Sequence, residues 1–312
     1  MKISVVIPVY QGARTIARLA DELMKTFSGR DMELVLVNDG SGDSSHDECV
    51  GVFKKHKDAV SYVNLAKNFG EHNAVMAGLN YATGDYAVII DDDFQNPPEE
   101  ILKLVECAAD GDYDVVYSYY RKKAHSLFRN LGSKFNDMVG TFLLDKPGDL
   151  YLSSFKCVNR FVIDEITAYK GPFPYIDGLI LRTTRKIGKV MVKHDRRAEG
   201  KSGYTLRKLV RLWLNMFTNF SVIPLRISTL FGFAFSILGG IFSVHIVIEK
   251  FLHPETPMGV TSILVAILVF AGIQLVMLGF IGEYLGKQYL TANQTPQYVV
   301  RGVLASGKER KS

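Results

Sequence analysis

The chain has 312 residues, a net charge of +5 and 47% apolar residues, which leaves room for one large domain and a smaller appendage. Its cysteines, Cys49, Cys107 and Cys157, are odd in number and lack the paired spacing of a metal site. These features exclude a disulfide-stabilised secreted scaffold and are typical of a reducing compartment. Much of the positive charge lies beside apolar segments near the C-terminus, so we expect a lipid bilayer as the charged partner and no nucleic acid.

The first part of the chain alternates short β-rich runs with helical patterns. Strands are predicted at Ile3 to Pro8, Glu33 to Asn38, Val60 to Asn64, Tyr86 to Ile90 and Asp114 to Ser118. Helices are predicted at Thr15 to Phe27, Asp47 to His56, Asn73 to Ala82 and Glu99 to Ala109. This alternation is typical of crossover connections, so we predict an α/β fold whose mostly parallel sheet carries helices on both faces.

The fourth predicted strand runs straight into Asp91, Asp92 and Asp93, followed by Gln95 and two prolines. Ligands of open α/β sheets bind beyond the carboxyl ends of such strands. Because alternate residues of an extended segment point the same way, Asp91, Asp93 and Gln95 are predicted to share a face. Their oxygen atoms suit Mg²⁺ or Mn²⁺, which completes its shell with water and substrate phosphates. An acidic turn that caps the next helix is the alternative.

Two earlier strand ends also lead into polar loops, Val5 to Tyr10 and Leu36 to Ser41. Gly40 permits a sharp turn that leaves Asp39 at the strand end, where it can accept hydrogen bonds from a base or a ribose. Asn-Asp-Gly-Ser is a common turn when it stands alone. Together with the aspartate cluster, the two loops favour a nucleotide pocket.

A basic stretch from Arg121 to Arg129 follows the fifth predicted strand. Arg129 and Ser133 are four residues apart, so on a helix they share a face and can bind one phosphate, with Arg121 reaching in from the preceding loop. A solvated basic face is the alternative.

Two uncharged runs lie near the C-terminus, from Ile227 to Ile248 and from Gly259 to Gly282. Each exceeds the roughly 20 residues that cross a bilayer as a helix, so we predict two membrane-spanning helices, with a buried core hairpin as the alternative. Between Tyr204 and Phe220, apolar residues recur at helical spacing with basic residues among them. This pattern favours a helix in the membrane interface over a core-packing helix.

The basic residues indicate the orientation of these spans. The loop from Glu249 to Met258 contains only Lys250 as a firm cation, whereas several arginines and lysines precede the first run: Arg196, Arg197, Lys201, Arg207, Lys208, Arg211 and Arg226. By the positive-inside rule both ends of the hairpin face the cytosol. The N-terminus lacks the pattern of a signal peptide. We therefore expect a multi-pass protein of the inner (plasma) membrane with its large domain and both termini in the cytosol.

Six motifs occur in order along the chain. They are Pro-Val-Tyr at 8–10, Asn-Asp-Gly-Ser at 38–41, Lys-Asn-Phe-Gly at 67–70, Ala-Gly at 77–78, Ala-Thr-Gly-Asp at 82–85 and Asp-Asp-Asp-Phe-Gln-Asn-Pro-Pro-Glu at 91–99. Together they resemble the inverting family 2 glycosyltransferases of the GT-A type. More narrowly, they resemble polyprenyl-phosphate glycosyltransferases, such as dolichyl-phosphate mannose synthase and bacterial undecaprenyl-phosphate sugar transferases with two C-terminal membrane helices.

This resemblance implies a GT-A (Rossmann-like) catalytic domain at 1–200, an amphipathic juxtamembrane helix at 201–225, two membrane helices within 226–284 and a cytosolic tail at 285–312. It implies transfer of one sugar, with inversion, from a nucleoside diphosphate sugar to polyprenyl phosphate at the cytosolic membrane face. The related enzymes point to a UDP-sugar as donor and undecaprenyl phosphate as acceptor. The product would serve glycan modification in the cell envelope.

The resemblance also assigns roles at the donor site. Asp91 would lie by the nucleotide, Asp93 would bind the metal, and Gln95 would support the metal and the diphosphate. Asp39 would hold the uracil or the ribose, and Pro8 and Tyr10 would form the wall of that pocket. Lys67 completes the predicted nucleotide-binding residues.

On the acceptor side, Arg129 with Ser133 resembles the acceptor-phosphate pattern of the family, an arginine with a serine four residues later. The segment that begins at Arg197 matches the family's Arg-x-x-Gly-x-Ser-x-Tyr pattern. Arg197 and Lys201 are candidates for neutralising the charge of the diphosphate. Ser202 and Tyr204 are candidates for hydrogen bonds to it.

The chain departs from the family pattern in two places. It has Gln11 and Gly12 where many relatives carry Asn-Glu, which puts a role of that acid in base recognition in doubt. The segment from Ser153 to Lys156 replaces a common Ser-Gly-Phe or Asp-Phe-Arg segment, and we expect it to border the sugar pocket.

Two other functions compete with this interpretation. A processive polysaccharide synthase would carry a Gln-x-x-Arg-Trp element, whereas the only tryptophan is Trp213 in Arg-Leu-Trp. A non-catalytic membrane protein that binds a nucleotide sugar would not need Asp91, Asp93 and Gln95 together. We also expect a homo-oligomer, with a tetramer among its forms, because the tail is long enough to reach a neighbouring subunit.

Overall fold

The structure is a computed structural model that describes residues 1–120, 146–148, 150–193, 223–253 and 259–305. The chain forms two compact units. The sheet unit comprises Met1–Gly203 and Gln294–Ser312, and the helical unit comprises Tyr204–Asn293. The described residues 294–305 therefore belong to the sheet unit.

The sheet unit is built on eight strands. They are β1 (Ile3–Val9), β2 (Met32–Asn38), β3 (Val60–Leu65), β4 (Tyr86–Ile89), β5 (Val115–Tyr119), β6 (Lys156–Asn159), β7 (Ile187–Met191) and β8 (Val300–Leu304). Their order is β7-β5-β6-β4-β1-β2-β3-β8. Strands β1 to β4 pair in parallel, and so do β5 and β7, whereas β6 runs antiparallel to β4 and β5. The predicted α/β fold with a mixed sheet is confirmed.

The described part of the sheet unit also contains six helices. They are α1 (Ile16–Thr26), α2 (Ser45–Lys55), α3 (Glu71–Tyr81), α4 (Glu100–Asp110), α5 (Arg160–Thr167) and α6 (Ile176–Thr183). The first of them buries Ile16, Leu19, Ala20 and Leu23, the i, i+3, i+4, i+7 spacing of one helical face. The first five strands and first four helices lie within two residues of their predicted bounds.

Strands β1 to β4 are apolar on both sides because helices cover both faces of the sheet. Val5, Val6 and Ile7 of β1 are all fully buried, as are Leu34 to Val37 of β2. Because these four strands are parallel, they end at one edge, which we call the C-terminal edge. Strand β6 runs the other way and begins there, with Lys156 opposite Ile89 of β4.

Strand β8 pairs antiparallel with β3, with Val303 opposite Val63 and Gly302 opposite Asn64. It covers what would otherwise be an open strand edge. The sequence analysis did not predict this strand. The expected oligomer stays a prediction, and the tail strand pairs with the sheet of its own chain.

The helical unit contains α7 (Ile223–Leu252) and α8 (Val260–Ala292). Within the described residues, one segment is long and apolar enough to cross a membrane, Ser228–Glu249. It coincides with the first predicted span, and its large apolar side chains, Phe233 and Ile237 among them, are exposed. The second span, and so the two-helix membrane hairpin, stays a prediction. The interface helix predicted at 201–225 lies mostly outside the described residues.

Candidate functional site

The candidate site lies at the C-terminal edge of the sheet. The sheet order places β4 between β1 and β2 on one side and β6 and β5 on the other. The acidic loop after β4 is therefore flanked by the two predicted nucleotide loops and by the Ser153 to Lys156 segment. Residues that are far apart in sequence meet here because parallel strands end together and the antiparallel β6 starts at the same level.

The acidic loop is a turn and not an extended continuation of β4. The strand ends at Ile89, and Phe94 adopts a left-handed conformation with φ of 59°. The prediction that Asp91, Asp93 and Gln95 share a face assumed an extended chain. That assumption was wrong, because a turn does not keep the two-residue period of a strand. The carboxylate of Asp93 instead accepts a hydrogen bond from the backbone N–H of Gln95 at 3.1 Å.

The first two aspartates of this loop point to different neighbours. Asp91 Oδ2 accepts a hydrogen bond from Ser154 Oγ at 2.7 Å, which joins the loop to the segment before β6. Asp92 lies against the β1–α1 loop, where a Cβ on Gly12 would come within 1.9 Å of Asp92 Oδ2. A larger residue at position 12 would push the end of the Asp92 side chain aside. Asp92 thus lies beside the β1–α1 loop, and Asp91 stands at the border with β6.

Phe94 is held from the side of α1. The guanidinium carbon of Arg18 lies 4.1 Å from the centroid of the Phe94 ring, which is a cation–π contact. The ring also packs against the hydrophobic core. A left-handed conformation is unfavourable for a phenylalanine, so these contacts stabilise the turn that carries Asp93.

Asp39 is buried at the end of β2, with 3% of its surface exposed. Its two carboxylate oxygens accept backbone N–H bonds from Phe69 at 2.7 Å and Gly70 at 2.9 Å. Burial raises the pKa of Asp39, although these two bonds oppose the shift. The side chain thus joins the end of β2 to the start of α3. Its predicted contact with a base or ribose stays a prediction and would use the remaining lone pairs of the carboxylate.

The other predicted nucleotide residues lie at the same edge. Pro8 is half-buried near the end of β1, and Tyr10 is exposed just after it. The Lys67 ammonium lies 5.2 Å from the centroid of the Phe69 ring. Gly40 has φ of +60°, and a Cβ there would lie 2.3 Å from the carbonyl carbon of Lys67, so only glycine allows the two loops to approach this closely.

A set of polar residues lies on the other side of Asp91, and the sequence analysis singled out none of them individually. We call Glu71, Tyr117, Lys156 and Asp177 the polar cluster. Lys156 and Asp177 form a buried ion pair, and Tyr117 donates a hydrogen bond to Asp177 at 2.9 Å. The Lys156 ammonium also lies 5.1 Å from the centroid of the Tyr117 ring. Lys156 belongs to the segment expected to border the sugar pocket, whereas nothing in the local sequence marks Asp177.

Glu71 begins α3 and completes the polar cluster. Its neighbour His72 packs edge-on against Tyr175, just before α6, with ring centroids 5.0 Å apart. The Glu71 side chain reaches solvent, and within the described part of the chain it makes no hydrogen bond. Surrounding protein removes part of its hydration and Asp91 adds a like charge, so the pKa of Glu71 is raised, against the opposing influence of Lys156.

The predicted acceptor and diphosphate residues lie outside the described part of the chain. They are Arg121, Arg129, Ser133, Arg197, Lys201, Ser202 and Tyr204. Their roles stay predictions.

The described residues contain no group of three or more His, Cys, Asp or Glu side chains that could hold a metal ion. Asp91 and Asp93 supply carboxylates, and Gln95 supplies an amide oxygen. Mg²⁺ in nucleotide enzymes is commonly held by one or two carboxylates together with water and substrate phosphates. The donor set therefore fits a cation that arrives with a diphosphate and does not fit a cage made only of protein ligands.

Residues 4–168 match the sequence model of the family described as Glycosyl transferase family 2. The chain belongs to glycosyl transferase family 2. It is a glycosyltransferase, and the resemblance to polyprenyl-phosphate glycosyltransferases seen in its motifs is confirmed by full-length relatives.

The relatives include two bacterial enzymes named undecaprenyl-phosphate 4-deoxy-4-formamido-L-arabinose transferase. This family 2 chain is 32% identical to the enzyme of Proteus mirabilis (strain HI4320) over 100% of its own length and 96% of that protein. It is 33% identical to the enzyme of Enterobacter sp. (strain 638) over 98% of its own length and 94% of that protein.

Solved structures share the fold. Glucosyl-3-phosphoglycerate synthase from Mycobacterium tuberculosis in complex with UDP superposes with a TM-score of 0.50 and 20% identity, over 70% of this chain and 78% of that one. The same enzyme with Mn²⁺, UDP and glucosyl-3-phosphoglycerate gives a TM-score of 0.51 at 20% identity, over 70% and 77% of the two chains. The mixed sheet is thus of the GT-A type.

Proposed function

We propose that this family 2 enzyme transfers one sugar from a UDP-sugar to undecaprenyl phosphate, with inversion, at the cytosolic face of the inner membrane. The observation that carries the proposal is the position of Asp91 and Asp93 at the end of β4, between the loops after β1 and β2 and the polar cluster. The full-length relatives, which are named for transfer to undecaprenyl phosphate, support the acceptor.

The sheet order supports a layout for the donor. The nucleoside lies over the ends of β1 and β2, near Pro8, Tyr10, Asp39 and Lys67. The diphosphate lies at the acidic loop of β4, and the sugar extends toward β6. A mycobacterial enzyme of the same fold binds Mn²⁺ and UDP, which supports Mg²⁺ or Mn²⁺ with a uridine nucleotide here. Asp91, Asp93 and Gln95 would hold that cation, which would stabilise the negative charge of the departing diphosphate.

The chemistry needs little from a general base. The acceptor phosphate is already an oxyanion at neutral pH, so its oxygen can attack the anomeric carbon directly on the face opposite the leaving group. The bond from that carbon to the diphosphate breaks, and its electron pair leaves with UDP. The protein has to orient both phosphates and exclude water. Arg197 and Lys201 are the predicted cations for the leaving group, and Arg121, Arg129 and Ser133 are the predicted acceptor site.

The chain path supports two membrane crossings. The sheet unit ends its first segment at Gly203 and resumes at Gln294. One folded unit lies on a single side of a bilayer, so the intervening chain must cross an even number of times. If Ser228–Glu249 crosses once, a second crossing is required, and α8 supplies a helix long enough for it.

Transfer of radiolabel from a panel of nucleotide sugars to undecaprenyl phosphate tests the proposal, with full-length protein in detergent and Mg²⁺ or Mn²⁺. We expect a lipid-linked product from one donor, and about a 100-fold lower rate in Asp93→Ala, since an electrostatic contact to the leaving group is lost. Asp58→Ala is the matched control because Asp58 is exposed and lies away from the acidic loop. Full activity in Asp93→Ala, or no lipid-linked product from any donor, would refute the proposed function.

A further inference from the structure

We infer that the polar cluster forms the wall of the donor-sugar pocket, and that Glu71 selects neutral or amino-bearing sugars against sugars that carry a carboxylate. This inference rests on the proposed function. It adds a specificity-determining residue and a charge class for the donor sugar, which neither the family motifs nor the acidic loop provide.

The sheet geometry places the cluster where the sugar would lie. Lys156 of β6 is opposite Ile89 of β4 on one side and Tyr117 of β5 on the other. Ser154, two residues earlier, is bonded to Asp91. The group that extends from the diphosphate on the side away from β1 therefore meets β6 and β5 first. The starts of α3 and α6 close this region, because His72 packs against Tyr175.

Glu71 is the member of the cluster that can reach a ligand. Its side chain is exposed, and it makes no hydrogen bond within the described part of the chain. Lys156 and Asp177 are buried and occupied with each other and with Tyr117. An ionised carboxylate is only an acceptor of hydrogen bonds, so Glu71 can accept them from sugar hydroxyl, amide or ammonium groups.

The charge balance of the wall is negative. The charged groups that act most on Glu71 are Asp91, Lys156, Asp177 and Asp93, and three of these four are acids. The charge of Lys156 is balanced by its buried partner Asp177. His72 adds no positive charge, because the protein packed around it lowers its pKa to about 4. In the proposed layout Asp91 and Asp93 face the diphosphate and its cation. The negative charge of Glu71 then faces the sugar without a cation to offset it.

A sugar carboxylate close to this wall would be repelled. At about 6 Å, and in the intermediate dielectric of a partly open pocket, two like charges lower an affinity by roughly 10-fold. A neutral sugar suffers no such loss and gains the hydrogen bond. The geometry thus distinguishes donors by charge as well as by shape.

UDP-xylose and UDP-glucuronate are a suitable pair of probes, because they differ only by the carboxylate on the sugar ring. The dissociation constants of both, and of UDP, are measured calorimetrically with Mn²⁺ on the full-length protein in detergent at pH 8, above the raised pKa of Glu71, so that its carboxyl is ionised. We expect the wild type to prefer UDP-xylose, and Glu71→Gln to reduce this preference about 10-fold with UDP affinity unchanged within about twofold. Gln retains the size of the side chain, so folding should be preserved.

Glu106→Gln is the matched control, since the same change is made on an exposed face of α4. An unchanged preference in Glu71→Gln, with UDP binding intact, would overturn the inference alone. An equal loss of UDP affinity would overturn it too, because Glu71 would then serve the nucleotide or the cation. If the wild type failed to bind UDP itself, the proposed function would fail, which is a different result.

Discussion

Breaking the buried ion pair between Lys156 and Asp177 should destabilise the sheet unit strongly. The two side chains are 4% and 9% exposed, so neither charge keeps its water in the folded protein. Lys156→Met removes the ammonium and leaves the buried Asp177 carboxylate with the Tyr117 hydroxyl, which donates to it at 2.9 Å. Removal of one partner of a buried pair costs about 3–5 kcal/mol. For a domain of this size, the Tm should fall by roughly 6–20 °C.

A second change should restore most of this stability. In the double variant Lys156→Met with Asp177→Asn, neither of the two positions carries a charge. The Asn carbonyl can still accept the hydrogen bond from Tyr117. We therefore expect the double variant to melt well above Lys156→Met. The measurement is thermal unfolding of the full-length protein in detergent, followed by circular dichroism.

The surface offers a matched ion pair. Lys186 and Asp112 lie 2.7 Å apart, with side chains 61% and 91% exposed. Lys186→Met should change the Tm little, since both groups are hydrated with or without each other. If Lys156→Met lowered the Tm no more than Lys186→Met, or if the double variant melted no higher than Lys156→Met, the argument from burial would be refuted.

Arg18→Ala should weaken activation by Mn²⁺ several-fold in a metal titration of the transfer rate, because the cation–π contact that holds Phe94 is lost, and an unchanged activation constant would contradict a positioning role. Glu71→Gln should raise the Tm more at pH 8 than at pH 5. Because the pKa of Glu71 is raised in the folded state, the wild-type protein loses stability as the pH rises from the ordinary pKa to the raised one, and the substitution removes this loss. An equal shift at both pH values would count against the raised pKa. Ala66→Pro should lower the Tm by several degrees because it removes the N–H that bonds the Val299 carbonyl at 2.8 Å beside the β3–β8 pairing, whereas Ala305→Pro, just beyond β8, should not.

The amino-acid sequence by itself determined the fold class and the strand ends at which the candidate site lies. Strand and helix patterns are local, and β1 to β5 with α1 to α4 lie where the hydrophobic periodicity placed them. The apolar strand that leads into Asp91 was visible for the same reason, since burial on both faces leaves a continuous apolar run. The motif order then indicated the family, which the comparisons confirmed.

Tertiary structure decided how the loops at the C-terminal edge are built. The two N–H bonds that Asp39 accepts come from Phe69 and Gly70, which lie 30 and 31 residues away, so no local pattern announces them. The left-handed turn at Phe94 depends on Arg18 and the core behind it. It replaced the extended segment that alternation had suggested.

The contacts of the polar cluster and the strand β8 could not be predicted from local sequence patterns. Lys156 and Asp177 are 21 residues apart and carry no periodic signal, because single polar residues buried as a pair leave no repeat in the chain. Strand β8 pairs with residues of β3 that lie 235 or more positions earlier in the chain. This short segment forms a strand only because it pairs with the edge of the sheet. Local patterns specify the elements, whereas contacts between distant segments specify which side chains meet at the C-terminal edge.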